Sequence, residues 1–142
     1  MILTDRQIIN HYVNNGFLDI QGKTYGLIGS LGVGKTYLVK CLLSSVSIEF
    51  GKQVHSPTFN LCNIYQWDVF EVHHFDLYRI DSNDDLFNIG IMDSISSKTL
   101  ITFIEWVDLF PELLDCCDEI ITITEDNESE RHYAIDPINE VD

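Results

Sequence analysis

The sequence has few basic residues: 8 lysines and arginines stand against 23 aspartates and glutamates among 142 residues, which gives a formal net charge of −15 at pH 7. The arginines are Arg6, Arg79 and Arg131. So acidic a surface repels phosphate backbones, which argues against independent binding to DNA or RNA. Two interpretations of the acidity stay open: it keeps the chain soluble, or it meets a basic partner protein.

Long hydrophobic runs and cysteine motifs are missing as well. No stretch approaches the ~20 apolar residues of a membrane span, and the start of the sequence has no signal-peptide pattern. The four cysteines form no Cys-x-x-Cys motif, and the five histidines show no metal-ligand spacing. We therefore expect reduced, buried thiols and histidines that are structural or solvent-facing. With 45% hydrophobic residues, we expect a single soluble, cytoplasmic domain over residues 1–142 that does not associate with membranes.

Hydrophobic periodicity predicts alternating helices and strands in the first part of the chain. Thr4 is a candidate N-cap for a helix that runs to about Asn14. The apolar run Thr24–Ile28 predicts a buried strand. Apolar residues at helical spacing beyond it predict a helix that continues until Gly51.

The rest of the sequence carries five β-rich runs, and we expect a strand from each. The runs are Phe59–Trp67, Val69–Phe75, Leu100–Ile104, Ile120–Thr124 and Tyr133–Ile135. The first two flank a turn at Asp68 and predict an antiparallel pair, and Leu100–Ile104 is the strongest candidate for a central strand. Short helices are expected between the runs, one of them capped by Asp81 or Ser82 and another over 107–114.

A glycine-rich segment lies between the first buried strand and the helix after it. The segment Gly29-Ser-Leu-Gly-Val-Gly-Lys-Thr36 fits the pattern GxxxxGK[ST]. Its glycines let successive backbone N–H groups point at a phosphate, and the following helix adds the positive end of its dipole. A surface turn that carries Lys-Thr by chance would leave the glycines unexplained. We therefore predict that a nucleotide is bound by Gly29, Gly32, Val33, Gly34, Lys35 and Thr36.

Two acidic residues follow predicted strands and are candidates for work on a metal ion and a water. Glu105 ends the uninterrupted run at Ile104, the position of a Walker B acid, and Asp76 follows Phe75. With Lys35, which can reach the β- and γ-phosphates, these two acids are the catalytic candidates. Thr36 and Glu105 are the predicted Mg²⁺ ligands.

Further nucleotide contacts are predicted on two short segments. Ser56-Pro57-Thr58 follows the helix after the glycine-rich segment, where many P-loop proteins place a segment that senses the γ-phosphate. The Ser56 and Thr58 hydroxyls are the candidates, although Ser-Pro-Thr also makes an ordinary turn. Trp106 directly follows Glu105, and without further context it is a core residue.

These motifs together resemble those of the TsaE (YjeE) family. The resemblance covers the chain from about Leu27 to Val107. It rests on motifs in the family's order and approximate spacing: Gly29–Thr36, Ser56–Phe59 with Asn63 and Tyr65, His74–Arg79, Ile104–Trp106 and, less specifically, Asp85–Gly90. The sequence departs from the family at Ser30, where the family usually has Asp, and at Tyr37, where it has a second Thr.

The resemblance implies an α/β fold of the P-loop NTPase type, in three layers around a mixed parallel and antiparallel sheet. It also implies an ATPase that uses ATP and Mg²⁺ and supports the TsaD–TsaB complex in threonylcarbamoyladenosine modification of tRNA, meeting tRNA only through that complex. In this family Glu105 would be a metal ligand, Asp76 would be essential for hydrolysis, and Trp106 would pack over the nucleotide. Thr4 and Arg131 are weaker counterparts of two other nucleotide contacts.

Three other functions remain possible for a chain with these motifs. A small-molecule or nucleotide kinase commonly needs several lid arginines, whereas Arg79 is the only arginine between Arg6 and Arg131. A guanine-specific switch normally has an Asn-Lys-x-Asp motif, which is missing. A nucleotide-gated binding module with negligible hydrolysis would use the same residues, so the sequence does not separate it from an ATPase.

Overall fold

The computed structural model describes residues 2–14, 21–57 and 61–138, and within them seven strands form one sheet. The strands are β1 (Ile2–Leu3), β2 (Thr24–Ile28), β3 (Cys62–Trp67), β4 (Phe70–Asp76), β5 (Ile101–Glu105), β6 (Glu119–Glu125) and β7 (Arg131–Pro137). Their order across the sheet is β1-β7-β6-β2-β5-β4-β3. The four central strands, β6, β2, β5 and β4, run parallel, and the outer strands pair antiparallel. The mixed sheet is thereby confirmed.

Helices cover both faces of this sheet. They are α1 (Asp5–Asn14), α2 (Lys35–Val46), α3 (Ile48–Lys52), α4 (Asn83–Asn88), α5 (Ile91–Ser96) and α6 (Pro111–Leu114), with a 3-10 helix at Val107–Leu109. Successive side chains of a strand point to opposite faces. Phe103 of β5 therefore packs in one core with α1, α2 and α3, and Ile104 packs in a second core with α4, α5 and α6. The result is the expected three-layer α/β arrangement.

The strand predictions are confirmed with small shifts at their ends. β2 has the predicted bounds, and β5, buried at every position, lies between β2 and β4 as a central strand should. The predicted strand from Phe59 is observed from Cys62 onward, and residues 58–60 lie outside the described part of the chain. β1 and α5 were not predicted, because two and six residues are too short to show a period.

The single helix predicted to reach Gly51 is wrong. Ser47 interrupts it with an extended backbone, φ −158° and ψ 138°, and its hydroxyl accepts the N–H of Glu49 at 3.2 Å. A serine side chain that satisfies a free N–H group favours the start of a new helix over continuation of the old one. α2 therefore ends at Val46, and α3 begins directly after the capping residue.

The cysteines meet the expectation of reduced, buried thiols only in part. None of the four cysteines forms a disulfide, but only Cys117 is buried and the others are half-buried. Burial raises the pKa of the Cys117 thiol to about 12, which keeps it protonated. Within the described residues, no helix is long and apolar enough to cross a membrane.

The cap of α4 gives a test of the fold. The Ser82 hydroxyl accepts the N–H of Asp85 at 3.2 Å, so Ser82 rather than Asp81 is the cap. We expect Ser82→Ala to lower the free energy of unfolding by roughly 0.5–2 kcal/mol, measured by urea denaturation. Ser82→Asn is the matched control, since asparagine caps equally well. Equal losses in both variants would contradict the assignment of the cap.

Candidate active site

The carboxyl ends of the central parallel strands bring the predicted site residues together. β2 ends at Ile28 and leads into the glycine-rich loop, residues 29–36, which in turn leads into α2. β4 and β5 end at Asp76 and Glu105, which are direct partners in the parallel register. The loop and both acids therefore lie at one edge of the sheet, the edge where ligands bind in open α/β folds.

The backbone of the glycine-rich loop needs its glycines. Gly32 and Gly34 have φ values of 77° and 115°, in the left-handed region that favours glycine. A Cβ atom on Gly29 would come within 2.9 Å of the backbone oxygen of Ile123. Val33 buries its side chain in the core and donates its N–H to the Ser30 carbonyl at 3.2 Å. The loop is thus wound tightly against β6 and the start of α2.

Lys35 is buried and held by the loop itself. Its Nζ donates to the carbonyl oxygens of Gly29 at 2.6 Å and Ser30 at 3.0 Å, and lies 4.1 Å from the ring centroid of Trp106. Burial lowers the pKa of the Lys35 ammonium, and the carboxylates of Glu105 and Asp76 oppose that shift. The ammonium is therefore placed at the site by carbonyl oxygens and an aromatic face.

Trp106 adopts a left-handed backbone conformation, with φ 61°, directly after β5. This conformation is uncommon for a bulky residue and is found mostly where the surrounding structure enforces it. The Trp106 ring is half-buried and packs against both Lys35 and Tyr78, and its centroid lies 4.8 Å from that of the Tyr78 ring. Trp106 is thus a wall of the site and not an ordinary core residue.

Glu105 is the most enclosed acid of the site, with 4% of its surface exposed. Its Oε2 accepts the Thr36 hydroxyl at 2.6 Å and lies 2.5 Å from Nε2 of His74. The Ser56 hydroxyl lies 3.3 Å from that of Thr36. The site therefore presents carboxylate and hydroxyl oxygens side by side, which are the ligands that Mg²⁺ prefers.

Asp76 lies beside Glu105 but has a different environment. It is half-buried, and its Oδ1 accepts the backbone N–H of Tyr78 at 3.0 Å. Burial raises the pKa of the Asp76 carboxyl, and the nearby Glu105 carboxylate adds to the shift, while the Tyr78 N–H opposes it. A raised pKa on a carboxylate in a cleft is a common property of groups that handle protons.

Most of the residues predicted from the sequence line one cavity of about 210 Å³. Gly29 and Val33 belong to the same loop but do not line this cavity, and Thr58 lies outside the described residues. The predicted residues in the lining are Gly32, Gly34, Lys35, Thr36, Ser56, Asp76, Glu105 and Trp106.

Arg131 also lies against the loop. A Cβ atom on Gly34 would approach its Nη1 to 2.5 Å, so the guanidinium covers the start of α2. It stacks on Tyr37 at 4.5 Å from the ring centroid and pairs with Asp5 at 3.3 Å. Thr4, the other weak candidate, instead caps α1 through its hydroxyl, which accepts the N–H of Gln7 at 3.4 Å. Tyr37, which stands where the family has a second Thr, thus supports Arg131 at the rim of the site.

Sequence reasoning missed the contacts that connect His74 and Tyr65 to Glu105. The histidines were expected to be structural or solvent-facing, yet His74 touches Glu105 directly, and Tyr65 contacts the other ring nitrogen of His74. A signal was available, because His74 and Asp76 are two residues apart on a strand and therefore share a face. The partner strand was needed to show that Glu105 lies on that face too.

The fold and the loop define the class of the protein: it has a P-loop NTPase-like α/β fold. The crystal structure of YdiB from Bacillus subtilis superposes on it with a TM-score of 0.56, at 24% sequence identity, over 84% of this chain and 70% of that one. The family model of the threonylcarbamoyl adenosine biosynthesis protein TsaE matches residues 7–133. The chain therefore belongs to the TsaE family.

Curated relatives are named tRNA threonylcarbamoyladenosine biosynthesis protein TsaE. The protein from Rickettsia bellii is 35% identical over 88 residues, and that from Borreliella burgdorferi is 34% identical over 85 residues. These matches cover 62% and 60% of this chain, and 59% and 60% of the length of the relatives. The protein from Aquifex aeolicus is 43% identical over 58 residues, 41% of this chain and 44% of its own. The chain thus spans about three fifths of the first two relatives.

The buried carboxyl of Asp76 predicts a pH-dependent stability. Because its folded pKa is raised, its charge destabilises the fold once the pH exceeds the ordinary aspartate pKa. In protein free of nucleotide and metal, we expect Asp76→Asn to melt at a higher temperature at pH 7. The gain should grow as the pH rises from the ordinary pKa through the raised one and should vanish below both.

Asp126 is the matched control for this measurement. Hydrogen bonds from His132 and the backbone N–H of Glu130 lower the pKa of Asp126, so its carboxylate stabilises the fold above its ordinary pKa. Asp126→Asn should therefore not stabilise the protein at pH 7. Thermal unfolding across a pH series measures both effects. Loss of stability in Asp76→Asn at neutral pH would contradict the assignment.

Proposed function

We propose that this chain is the ATP-binding and ATP-hydrolysing subunit that supports the TsaD–TsaB complex in threonylcarbamoyladenosine modification of tRNA. The observation that carries the proposal is one cavity in which the Lys35 and Thr36 side chains of the loop meet Asp76 and Glu105 at the ends of adjacent strands. Membership of the TsaE family supports the biosynthetic role.

Nucleotide binding would use the loop and the start of α2. The N-terminal N–H groups of α2 and its dipole favour a negative group at this position. The first turn of α2 has no acidic residue that would repel a bound phosphate. The Lys35 ammonium adds a full charge at the same place. The β- and γ-phosphates of ATP would bind here, with the Ser56 hydroxyl close to the γ-phosphate.

Metal binding would use Thr36 and Glu105, whose oxygens already lie 2.6 Å apart. Mg²⁺ would supply charge neutralisation on the phosphate oxygens as the bond to the γ-phosphate breaks. Asp76 has one carboxylate oxygen engaged by Tyr78 and faces the same cavity. We assign to Asp76 the orientation of the attacking water and acceptance of its proton, for which a raised pKa is suited.

The distribution of arginines favours an ATPase that depends on a partner protein over a kinase. Among the described residues that line the site cavity there is no arginine. Arg131 is engaged by Asp5 and Tyr37 at the rim, and Arg79 lines a neighbouring cavity with Pro57 and Leu61. A supplied arginine is worth roughly 10³–10⁵ in rate in other P-loop systems. The acidic chain would obtain such help from a basic face of its partner.

The two acids should have separable roles. Glu105→Ala should weaken Mg²⁺-dependent binding of ATP by more than roughly tenfold, since even partners of a metal ligand are typically worth that much. Asp76→Ala should leave binding intact and reduce turnover by roughly 10²–10⁴-fold, as for loss of a general base. Mg²⁺ titrations with labelled ATP and single-turnover hydrolysis measure the two effects. Asp84→Ala, an exposed acid on α4, is the control, and a larger Mg²⁺ defect in Asp76→Ala would show that the roles are exchanged.

Dependence on the partner is the test of the proposed function. We expect weak hydrolysis by the chain alone, stimulation by TsaD–TsaB, and association that weakens as ionic strength rises, because a −15 surface attracts a basic face most strongly at low salt. Steady-state hydrolysis across a salt series, with Lys35→Ala as the variant unable to hold ATP, measures all three. Full activity alone, without any effect of the partner at any salt concentration, would contradict the proposal.

A further inference from the structure

His74 is a fully buried imidazole in the second half of β4, with 0% of its surface exposed. Asn63 of β3 and Phe103 of β5 flank it in the sheet register. Both of its ring nitrogens are engaged: Nε2 lies 2.5 Å from Oε2 of Glu105, and Nδ1 lies 2.9 Å from the hydroxyl oxygen of Tyr65. Two directed contacts fix the orientation of the ring.

We propose that His74 is a positioning residue that sets the orientation of the Glu105 carboxylate, with Tyr65 as the anchor of His74. The inference rests on the proposed function, in which Glu105 holds the metal ion of the bound nucleotide. It assigns a role in the site to two side chains that do not line the site cavity.

The contacts of Glu105 show what His74 fixes. A carboxylate oxygen has only lone pairs to offer, so Nε2 of His74 is the donor in their contact. Oε2 receives both this bond and the Thr36 hydroxyl, whereas Oε1 accepts no hydrogen bond from any described residue. The carboxylate is thereby held by one oxygen, and the other stays accessible in a residue that lines the cavity. Without His74, the Thr36 bond alone would leave the carboxylate free to turn.

Tyr65 connects His74 to the segment that precedes Ser56. Its hydroxyl oxygen lies 3.0 Å from the His55 carbonyl oxygen. The same carbonyl oxygen accepts a hydrogen bond from Nδ2 of Asn63 at 3.0 Å. The Ser56 hydroxyl in turn lies 3.3 Å from the Thr36 hydroxyl. These contacts and one peptide bond close a ring through Thr36, Glu105, His74, Tyr65, His55 and Ser56.

The ring has a consequence for metal binding. The groups that hold a metal ligand from behind typically change metal affinity by roughly 10–100-fold when they are removed. Among the described residues, no hydrogen bond joins the His74 or Tyr65 side chain to the glycine-rich loop or to Lys35. Their loss should therefore leave the binding of phosphate without metal unchanged. A selective loss of metal affinity is therefore the signature of the positioning role.

The test uses the full-length chain and Mn²⁺ as a probe for the Mg²⁺ site. His74→Leu removes both contacts, His74→Gln keeps a donor toward Glu105, and Tyr65→Phe removes only the anchoring hydroxyl. His73→Leu is the matched control: the neighbouring imidazole contacts Ser94 and Glu71, away from the site. Mn²⁺ affinity is measured by electron paramagnetic resonance with a non-hydrolysable ATP analogue. Affinity for that analogue in EDTA is measured separately, and circular dichroism checks folding.

We expect His74→Leu to lower Mn²⁺ affinity by roughly 10–100-fold, Tyr65→Phe to lower it less, and His74→Gln to retain most of it. Binding in EDTA and the His73→Leu control should be unchanged. Unaltered Mn²⁺ affinity in folded His74→Leu, or a loss in His74→Gln as large as in His74→Leu, overturns the inference. If His74→Leu does not fold, normal Mn²⁺ affinity in Tyr65→Phe overturns it.

The same experiment separates this inference from the proposed function. If the unsubstituted chain binds Mn²⁺ with the analogue and the variants do so equally well, only the positioning role fails. If the unsubstituted chain binds neither the analogue nor Mn²⁺ in its presence, the proposed function fails and the inference fails with it.

Discussion

The hydrogen bond from the Thr36 hydroxyl to the Glu105 carboxylate connects the two halves of the site. It joins the first turn of α2 to the end of β5, a buried central strand. Because a charged acceptor makes this bond stronger than a neutral one, it reinforces the placement that the pairing of β2 with β5 already gives the loop and the helix. Lys35 and Trp106 are each the chain neighbour of one partner in the bond. The bond therefore supports their contact, together with the Trp106 N–H that donates to the Leu27 carbonyl oxygen at 3.2 Å.

Burial of charge at the sheet edge is balanced by directed contacts. Unpaired carboxylates are costly to bury, and Glu105 is tolerated because it accepts hydrogen bonds from Thr36 and His74. Asp76 accepts one backbone hydrogen bond, from Tyr78, and burial raises the pKa of its carboxyl. Two acids that are partners in one register thus have different hydrogen-bond partners: two side chains for Glu105 and a backbone N–H for Asp76.

Local patterns in the sequence were sufficient to predict the features that lie within one continuous segment of the chain. The strand, glycine-rich loop and helix are contiguous, so composition and spacing predicted them. Asp76 and Glu105 were found because each follows a predicted strand. The break at Ser47 was missed because a serine is compatible with both a helix interior and a cap. The contact of His74 with Glu105 was missed because it depends on the neighbouring strand, and a single segment of sequence does not give the register. Arg131 was only a weak candidate, since Gly34 lies almost a hundred positions away.

The self-contact of Lys35 bears on how affinities of this chain should be understood. Its ammonium already has two carbonyl acceptors in the loop, so an incoming anion exchanges one set of partners for another and does not find a free charge. Measured affinity is then a difference between two bound states of the same amine. A protein whose competent state is a fraction of its population shows its intrinsic affinity reduced by that fraction. The carbonyl oxygens of Gly29 and Ser30 thus compete with a bound anion for the Lys35 ammonium in every molecule.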